Sequence, residues 1–480
     1  AEVVALGVAR GGFRMTPTSL TLAIRERVAS LPAQTRSLLE TASVIGRHFS
    51  LAALADLAEL PVESVRERLE PALDVRLIEA TGPDMLQFEH MLVREVFHDA
   101  LPKSLRCDLH GRRAKRLEEW EGDEREKPWA DLARHLEESG PEARQKAVYA
   151  WRRAAMQADT RHAFDEAALC YSRALDALGA GPEAASHTLA SLLLELAAAQ
   201  IRAGDLDAGR RNCKEAFAIG EALGDGALAA DTALTYGSIF TYGDVDQTLV
   251  QLLKAAQARL ADRDPGRAAR VMARLAAAMQ PASDPAEPIR LAREAIQLAR
   301  STGDARTLLV TLRSAISALM DVGDPVERLA LNREHVALAR SLGDLSECMR
   351  GSMRTVVDAM ELGDAVTMDE AIGQCEGLAN RLALPQYLWT AAAFRTMRAT
   401  IRGEIAQARA SLAQAEQLAE RSQDPNAART LAIQRLAIAE LGGSRDEILA
   451  LVAQVERLTM GLPSADAYLL PHLRFLRARF

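Results

Sequence analysis

The sequence predicts a predominantly all-α protein in which pairs of helices stack into an α-solenoid, preceded by a small domain of a different kind. Three observations predict this fold class. Aromatic residues make up 4% of the 480 residues, so the hydrophobic share of 49% is mainly alanine and leucine, as in packed helices. The dipeptide Gly-Asp recurs on a ladder of about 20 residues. Between these dipeptides, apolar residues follow helical spacing.

The first 120 residues predict the small domain. We interpret residues 1–30 as the tail of a preceding helical domain. Three helices and then two short strands around a tight turn are expected at residues 31–45, 51–58, 61–73, 75–80 and 85–88. Helix, helix, helix, hairpin is the order of a winged-helix domain, which we assign to residues 31–88. Residues 89–128 are predicted to form connecting helices.

The solenoid is predicted for residues 129–480. In its turns, glycine takes the left-handed position that ends one helix, and aspartate caps the free N–H groups of the next. Seven Gly-Asp dipeptides fit this chemistry, beginning at Gly204, Gly224, Gly243, Gly303, Gly323, Gly343 and Gly363. Alternate segments are the more alike, so the repeat is about 40 residues and two helices long. One hairpin cannot bury its apolar face alone, so neighbouring hairpins stack.

Two segments 40 residues apart show the similarity between repeats: residues 291–304 read LAREAIQLARSTGD, and residues 331–344 read LNREHVALARSLGD. Leu298, Leu338, Leu378 and Leu418 occupy one register. The region resembles the tetratricopeptide-like superhelices of bacterial regulators in its hairpin period and small-residue packing. It lacks the Trp and Tyr marks of the strict 34-residue consensus.

A second resemblance to known proteins rests on residues 88–95, which read FEHMLVRE. It also includes several residues that follow: Leu101-Pro102, Arg106, Leu109-His110 and Leu117-Glu118. This segment resembles the one that follows the ATPase module in STAND-class signalling ATPases. Similar proteins are the LuxR-type or MalT-like transcription regulators and the ATPase modules attached to bacterial adenylyl cyclases and protein kinases. The resemblance covers residues 31 to about 120 well, and the solenoid only in architecture.

The resemblance implies that His90 senses the nucleotide state by touching the phosphates of bound ADP. The alternative is a histidine at a helix N-terminus or one satisfied in the core. We expect Arg94 and Glu95 to form local salt bridges. The chain has no GxxxxGK[ST] motif, so we predict that it is not an enzyme and holds no cofactor itself. It begins with Ala1, and we expect a fragment whose missing upstream ATPase module binds ATP or ADP in cis.

Composition argues against several other classes. The net charge of −8 disfavours nucleic-acid binding, and acidic neighbours offset the basic run Arg112-Arg113 and Lys115-Arg116, which we interpret as a solvated helix face. No apolar stretch is long enough to span a bilayer. Five scattered cysteines without a CxxC pair indicate a reducing, cytoplasmic setting. Nine histidines without an HExxH motif give no metal site.

Two functions remain open at this point. The chain is predicted to be a regulatory arm whose solenoid binds a partner protein or small inducer and couples it to the nucleotide state. The alternative is a constitutive protein-interaction scaffold without nucleotide coupling. Candidate partner anchors are the local aromatic concentrations, although residues at helical spacing are more often core: Tyr236, Phe240, Tyr242, Tyr387, Trp389 and Phe394.

Overall fold

The computed structural model of the protein describes residues 24–179, 187–239, 245–260, 264–320, 322–422, 424, 426–460 and 469–480. These residues are predominantly α-helical, and their strands form one small sheet. The chain divides into two compact units, Ala1–Gly209 and Arg210–Phe480. No helix among the described residues combines the length and apolarity that crossing a membrane requires.

The first unit opens with a helix and sheet subdomain. Its elements are α1 Ala33–Ile45, β1 His48–Ser50, α2 Leu51–Ala58, α3 Val62–Asp74, β2 Ile78–Ala80 and β3 Met85–Phe88. The strands form an antiparallel sheet in the order β1-β3-β2, with Phe49 opposite Leu86 and Ile78 opposite Phe88. α1 begins after Pro32 and ends at Gly46, whereas the Ser50 hydroxyl caps α2 by accepting from Ala53 N at 3.1 Å.

Six helices and part of a seventh complete the first unit. They are α4 Met91–Ala100, α5 Lys103–Glu118, α6 Trp129–Ser139, α7 Arg144–Thr160, α8 Phe164–Leu178, α9 His187–Ala203 and α10 Leu206–Leu223, which runs on into the second unit. α5 belongs to two hydrophobic cores. Its Leu109 is buried with the sheet, whereas Ala114 and Leu117 are buried with α6 to α9. The sheet core is built around the rings of Phe49, Phe88 and Phe97.

The second unit consists of helices that pack against their neighbours along the chain. They are α11 Gly226–Tyr236, α12 Gln247–Leu260, α13 Pro265–Ala278, α14 Ala286–Ser301, α15 Ala305–Leu319, α16 Pro325–Ser341, α17 Leu345–Glu361, α18 Ala365–Leu382, α19 Pro385–Ile401, α20 Ile405–Ser422, α21 Ala427–Gly442, α22 Arg445–Thr459 and α23 Leu470–Arg479. Alanines fill the tightest contacts, as at the fully buried Ala292, Ala295 and Ala299 of α14. The predicted all-α solenoid of stacked helical hairpins is confirmed.

Five of the seven Gly-Asp turns have the predicted left-handed glycine, whereas Gly323 does not have a positive φ and Gly243 lies outside the described residues. Gly343 has a φ of 70°, and the N–H of Asp344 reaches back to Ala339 O at 2.9 Å, which closes α16. The Asp344 carboxylate then accepts from Glu347 N at 3.0 Å and caps α17. Gly303 and Gly363 have the same left-handed backbone, and Asp304 and Asp364 cap the following helices.

Candidate functional site

His90 occupies the N-cap of α4, where β3 ends. Its Nδ1 accepts a hydrogen bond from Leu92 N at 3.1 Å, and the side chain is half-buried. An accepting Nδ1 in a neutral ring leaves the proton on Nε2, and Nε2 has no hydrogen bond to another described residue. His90 thus serves as a helix cap, which is one of the alternatives left open by the sequence. Its role in nucleotide sensing stays a prediction.

Four of the six aromatic candidates lie among the described residues, and they contribute to helix packing. Tyr236, Tyr387 and Trp389 have 4%, 6% and 5% of their surface exposed, which leaves little area for a partner. Phe394 is half-buried against the core that contains Tyr387. Phe240 and Tyr242 lie outside the described residues. A partner-binding role for these six residues stays a prediction.

A cavity of about 630 Å³ lies in the first unit, where α6 faces the sheet and α4. Four arginines line it, one each from the α1–β1 connection, α4, α5 and α6: Arg47, Arg94, Arg113 and Arg134. Asp131 is the one carboxylate among its lining residues. Sequence analysis did not single out this site, because its arginines come from four separate elements.

Two of the arginines bind the carboxyl end of α1. Arg94 donates to Ser43 O at 3.2 Å, and Arg134 donates to Ile45 O at 2.7 Å. These carbonyls lack partners within the helix and carry the negative end of its dipole, so guanidinium groups suit them. The expected local salt bridge of Arg94 is wrong, since no carboxylate in the described part of the chain lies within 4.0 Å of Arg94.

Most of the arginines that line the cavity have no carboxylate within ion-pair distance among the described residues. Within the described ranges, Arg47, Arg94 and Arg113 have no ion pair, and the Nε of each is buried without a hydrogen-bond partner. Asp131 lies 3.8 Å from Arg134. Burial lowers the pKa of Arg134, and the positive charge of Arg94 lowers it further against the opposing effect of Asp131. Burial likewise lowers the pKa of Arg113, against the opposing negative charges of Asp131 and Asp56.

The basic run of α5 therefore has two faces. Arg112 pairs with Glu59, and Arg116 pairs with Asp56 at 2.9 Å and Glu119 at 3.2 Å, as the expected solvated face requires. Arg113, the residue after Arg112, lines the cavity instead. Helix periodicity alone does not separate it from the solvated face, because Arg113 and Arg116 are three residues apart and such residues are neighbours on a helix.

Three histidines extend from the cavity wall through the interior. His135 Nε2 lies 3.0 Å from Arg134 Nη2, His135 Nδ1 lies 2.9 Å from His110 Nδ1, and His110 Nε2 lies 3.5 Å from His98 Nε2. Arginine only donates, so His135 Nε2 accepts and its proton is on Nδ1, which donates to His110. The same reasoning leaves the His110 proton on Nε2, directed at His98.

His135 and His110 are neutral near pH 7. Burial lowers the pKa of His135 to about 2, and the positive charge of Arg134 adds to the effect. Burial lowers the pKa of His110 to about 3, again with a contribution from Arg134. These rings contribute no positive charge, so the charge of the cavity wall comes from its arginines.

No family model matches the chain, and no curated protein matches it. Solved structures resemble it at low identity. A STAND protein with a tetratricopeptide repeat sensor from Pyrococcus horikoshii is 13% identical over 96% of this chain and 68% of that chain, with a TM-score of 0.48. A Rap protein complexed with Competence and Sporulation Factor is 12% identical over 86% and 100% of the two chains, with a TM-score of 0.40. Yeast Tom70 is 9% identical over 74% and 86%, with a TM-score of 0.29. Similarities this weak transfer no function.

Proposed function

We propose that the chain is a non-catalytic regulatory arm of a signal-transduction ATPase. In this proposal, residues 31–88 are a winged-helix domain, and the helical hairpins bind a partner protein or a small inducer. Binding shifts the winged helix between two positions relative to an ATPase module elsewhere in the polypeptide. The phosphates of the nucleotide on that module contact His90 in the off state.

The observation that carries the proposal is the state of the His90 ring. Its Nδ1 is used by the α4 cap, while Nε2 holds a proton that no other described residue accepts. An N–H donor held in this way at a helix N-terminus suits an anionic phosphate oxygen, because the helix dipole adds positive potential there. The order helix, strand, helix, helix, strand, strand supports the winged-helix assignment.

The helical hairpins support the partner-binding half of the proposal. Stacked hairpins keep their packing through buried alanines and leave the outer side chains of each helix available for a partner. If the arm were only a scaffold, partner affinity would be equal in the presence of ADP and ATP. Dependence of that affinity on the nucleotide distinguishes the regulatory arm from the scaffold.

The first prediction separates phosphate contact from helix capping with two substitutions of His90. Asn is among the best N-cap residues, so His90→Asn keeps the cap and removes the imidazole, whereas His90→Ala removes both. In the polypeptide that carries the ATPase module, we expect both variants to release ADP faster than the parent. His90→Ala alone also loses about 1 kcal/mol of stability.

Release is followed with a fluorescent ADP analogue chased by unlabelled ADP, and stability by thermal unfolding. The contact with phosphate is refuted if His90→Asn retains ADP as long as the parent does. Equal ADP release by His90→Asn and the parent, combined with lower stability of His90→Ala, would leave His90 as a helix cap only.

A further inference from the structure

We propose that the arginine-lined cavity binds a small organic phosphomonoester. The ligand's phosphate would contact Arg47, Arg94, Arg113 and Arg134, and its organic part would contact the apolar wall. This site is separate from the role proposed for His90, which does not line the cavity. The proposal does not depend on an ATPase module.

Charge is the first argument. The four guanidinium groups and Asp131 give the wall a formal charge of +3, that is, four positive charges less one negative. A phosphomonoester carries a charge of about −1.5 to −2 at neutral pH, so it offsets more of this charge than a monocarboxylate would. Like charges in a partly buried space repel one another, and a bound dianion relieves that repulsion.

The contrast with other arginines of the same unit strengthens the argument. Arg152 pairs with Glu195 through two nitrogens, and Arg202 pairs with Asp159 at 2.8 Å. The subdomain also supplies carboxylates to Arg112 and Arg116, on the outer face of α5. These four arginines outside the cavity thus have carboxylate partners, although others of the unit, such as Arg68 and Arg106, form no ion pair with another described residue. Within the described residues Arg47, Arg94 and Arg113 have no carboxylate within ion-pair distance.

Hydrogen-bond geometry is the second argument. The planar guanidinium fork matches phosphate oxygens with two parallel N–H donors. The Nε atoms of Arg47, Arg94 and Arg113 are buried without a partner among the described residues, so a ligand in the cavity would contact the terminal nitrogens of these guanidinium groups instead. A terminal nitrogen of Arg94 donates to Ser43 O, and a terminal nitrogen of Arg134 donates to Ile45 O. These bonds orient both arginine side chains before a ligand binds.

The apolar wall indicates that the ligand is more than inorganic phosphate. Five apolar side chains line the cavity beside the arginines: Ile45, Phe49, Ala53, Met85 and Met91. The volume of about 630 Å³ lies within the range of small-molecule sites and far exceeds the size of one phosphate. Met85 and Met91 are themselves exposed, so the apolar part of a ligand would cover them.

The test is a calorimetric titration of the full 480-residue chain with phenyl phosphate, inorganic phosphate and benzoate. We expect phenyl phosphate to bind at least about tenfold more tightly than either of the others. Benzoate has the same ring with a carboxylate, and inorganic phosphate lacks the ring. Benzoate binding as tight as phenyl phosphate would overturn the phosphate assignment, and equal binding of inorganic phosphate would overturn the organic part.

Arg113→Gln and Arg116→Gln form the matched pair of variants. Both remove one positive charge from α5, but only Arg113 lines the cavity. We expect Arg113→Gln to weaken phenyl phosphate binding by about tenfold or more and Arg116→Gln by less than about twofold. Equal weakening by both would indicate unspecific attraction by the helix and would overturn the site.

Stability controls keep the result interpretable. Phenyl phosphate should raise the unfolding temperature of the parent chain and of Arg116→Gln, because a ligand that binds only the folded state stabilises it. It should raise the unfolding temperature of Arg113→Gln by clearly less, and without ligand this variant should unfold no earlier than the parent. Should Arg113→Gln fail to fold, Arg47→Gln replaces it with the same expectation. No heat and no thermal shift for the parent chain at millimolar phenyl phosphate would refute the proposal.

Discussion

The row of three histidines, His98, His110 and His135, is the residue-scale feature that the sequence least reveals. They lie on α4, α5 and α6, more than ten residues apart in sequence, and only folding aligns their ring nitrogens. In the sequence, nothing indicates that any of the three has a histidine neighbour, and no known spacing motif links them. Sequence reasoning finds metal or catalytic motifs within one element, whereas this row is created by packing between elements.

Acid sensitivity is the prediction that follows from this row. The pKa values of His135 and His110 fall on folding, to about 2 and about 3, so below pH 6.5 the unfolded chain binds protons that the folded chain does not. Stability is therefore full above pH 6.5 and falls as the pH drops from 6.5 towards 3. The loss is about 1.4 kcal/mol per pH unit for each histidine.

Urea unfolding followed by tryptophan fluorescence between pH 7 and 4.5 measures this slope, because three of the four tryptophans, Trp120, Trp129 and Trp151, lie in the first unit. His110→Gln should flatten it, since the amide does not titrate, and His472→Gln should not, because that residue is in the second unit and exposed. The same slope in the parent and in His110→Gln would contradict the assignment. Ring nitrogen NMR provides the direct check, with both buried rings neutral throughout this range.

At the element scale, the turns were predictable and the small sheet was only partly so. The Gly-Asp turn is local, because one glycine and one aspartate supply both the left-handed backbone and the cap. β1 was missed, because its residues fall between the helices expected at 31–45 and 51–58, where no strand was predicted. Three residues are too few to show alternation, and β1 exists because it pairs with β3, more than thirty residues away.

Gly351 tests how closely α16 and α17 pack. A methyl group added there would lie 2.5 Å from Val336 Cγ2 and 2.7 Å from His335 Nδ1. Neither atom is at the end of a flexible chain, so we expect Gly351→Ala to destabilise the second unit by about 1–3 kcal/mol. Thermal and urea unfolding measure the change.

Gly373 of α18 is the matched control, because a methyl group there meets no atom within 4 Å. Replacing a helical glycine by alanine restricts the unfolded chain, so Gly373→Ala should be neutral or stabilise the fold by about 0.5–1 kcal/mol. A similar loss of stability in both variants would mean that helix propensity, and not the α16–α17 contact, determines the outcome.

At the scale of the whole molecule, the sequence predicts helical hairpins from residue 129 onwards but does not predict where the boundary between the two compact units falls. The Gly-Asp ladder passes through Gly204 and Gly224, on both sides of the boundary between residues 209 and 210. Turn chemistry repeats regardless of how well adjacent hairpins pack, so periodicity carries no information about compact units. That boundary follows from contacts that only the folded chain displays.

Separate unfolding of the two units is the last prediction, and Arg328 is the residue that tests it. Its side chain is 2% exposed, bonds Asp358 at 2.8 Å and also reaches Glu361 and the carbonyl of Gly323 at 3.2 Å. Burial raises the pKa of Asp358 while Arg328 opposes that rise, so Arg328→Gln leaves a buried carboxylate without its cation. We expect a loss of about 3–5 kcal/mol in the second unit.

Hydrogen exchange resolved along the chain measures where that loss occurs. Arg328→Gln should accelerate exchange in the second unit, from α14 to α18 above all, and leave the sheet core of the first unit as protected as in the parent. Arg300→Gln is the control, because its exposed pair with Glu334 contributes less than about 1 kcal/mol. Faster exchange in both units of Arg328→Gln would show that the chain unfolds as one cooperative body, since a defect confined to the second unit would then have destabilised residues with which Arg328 shares no contact.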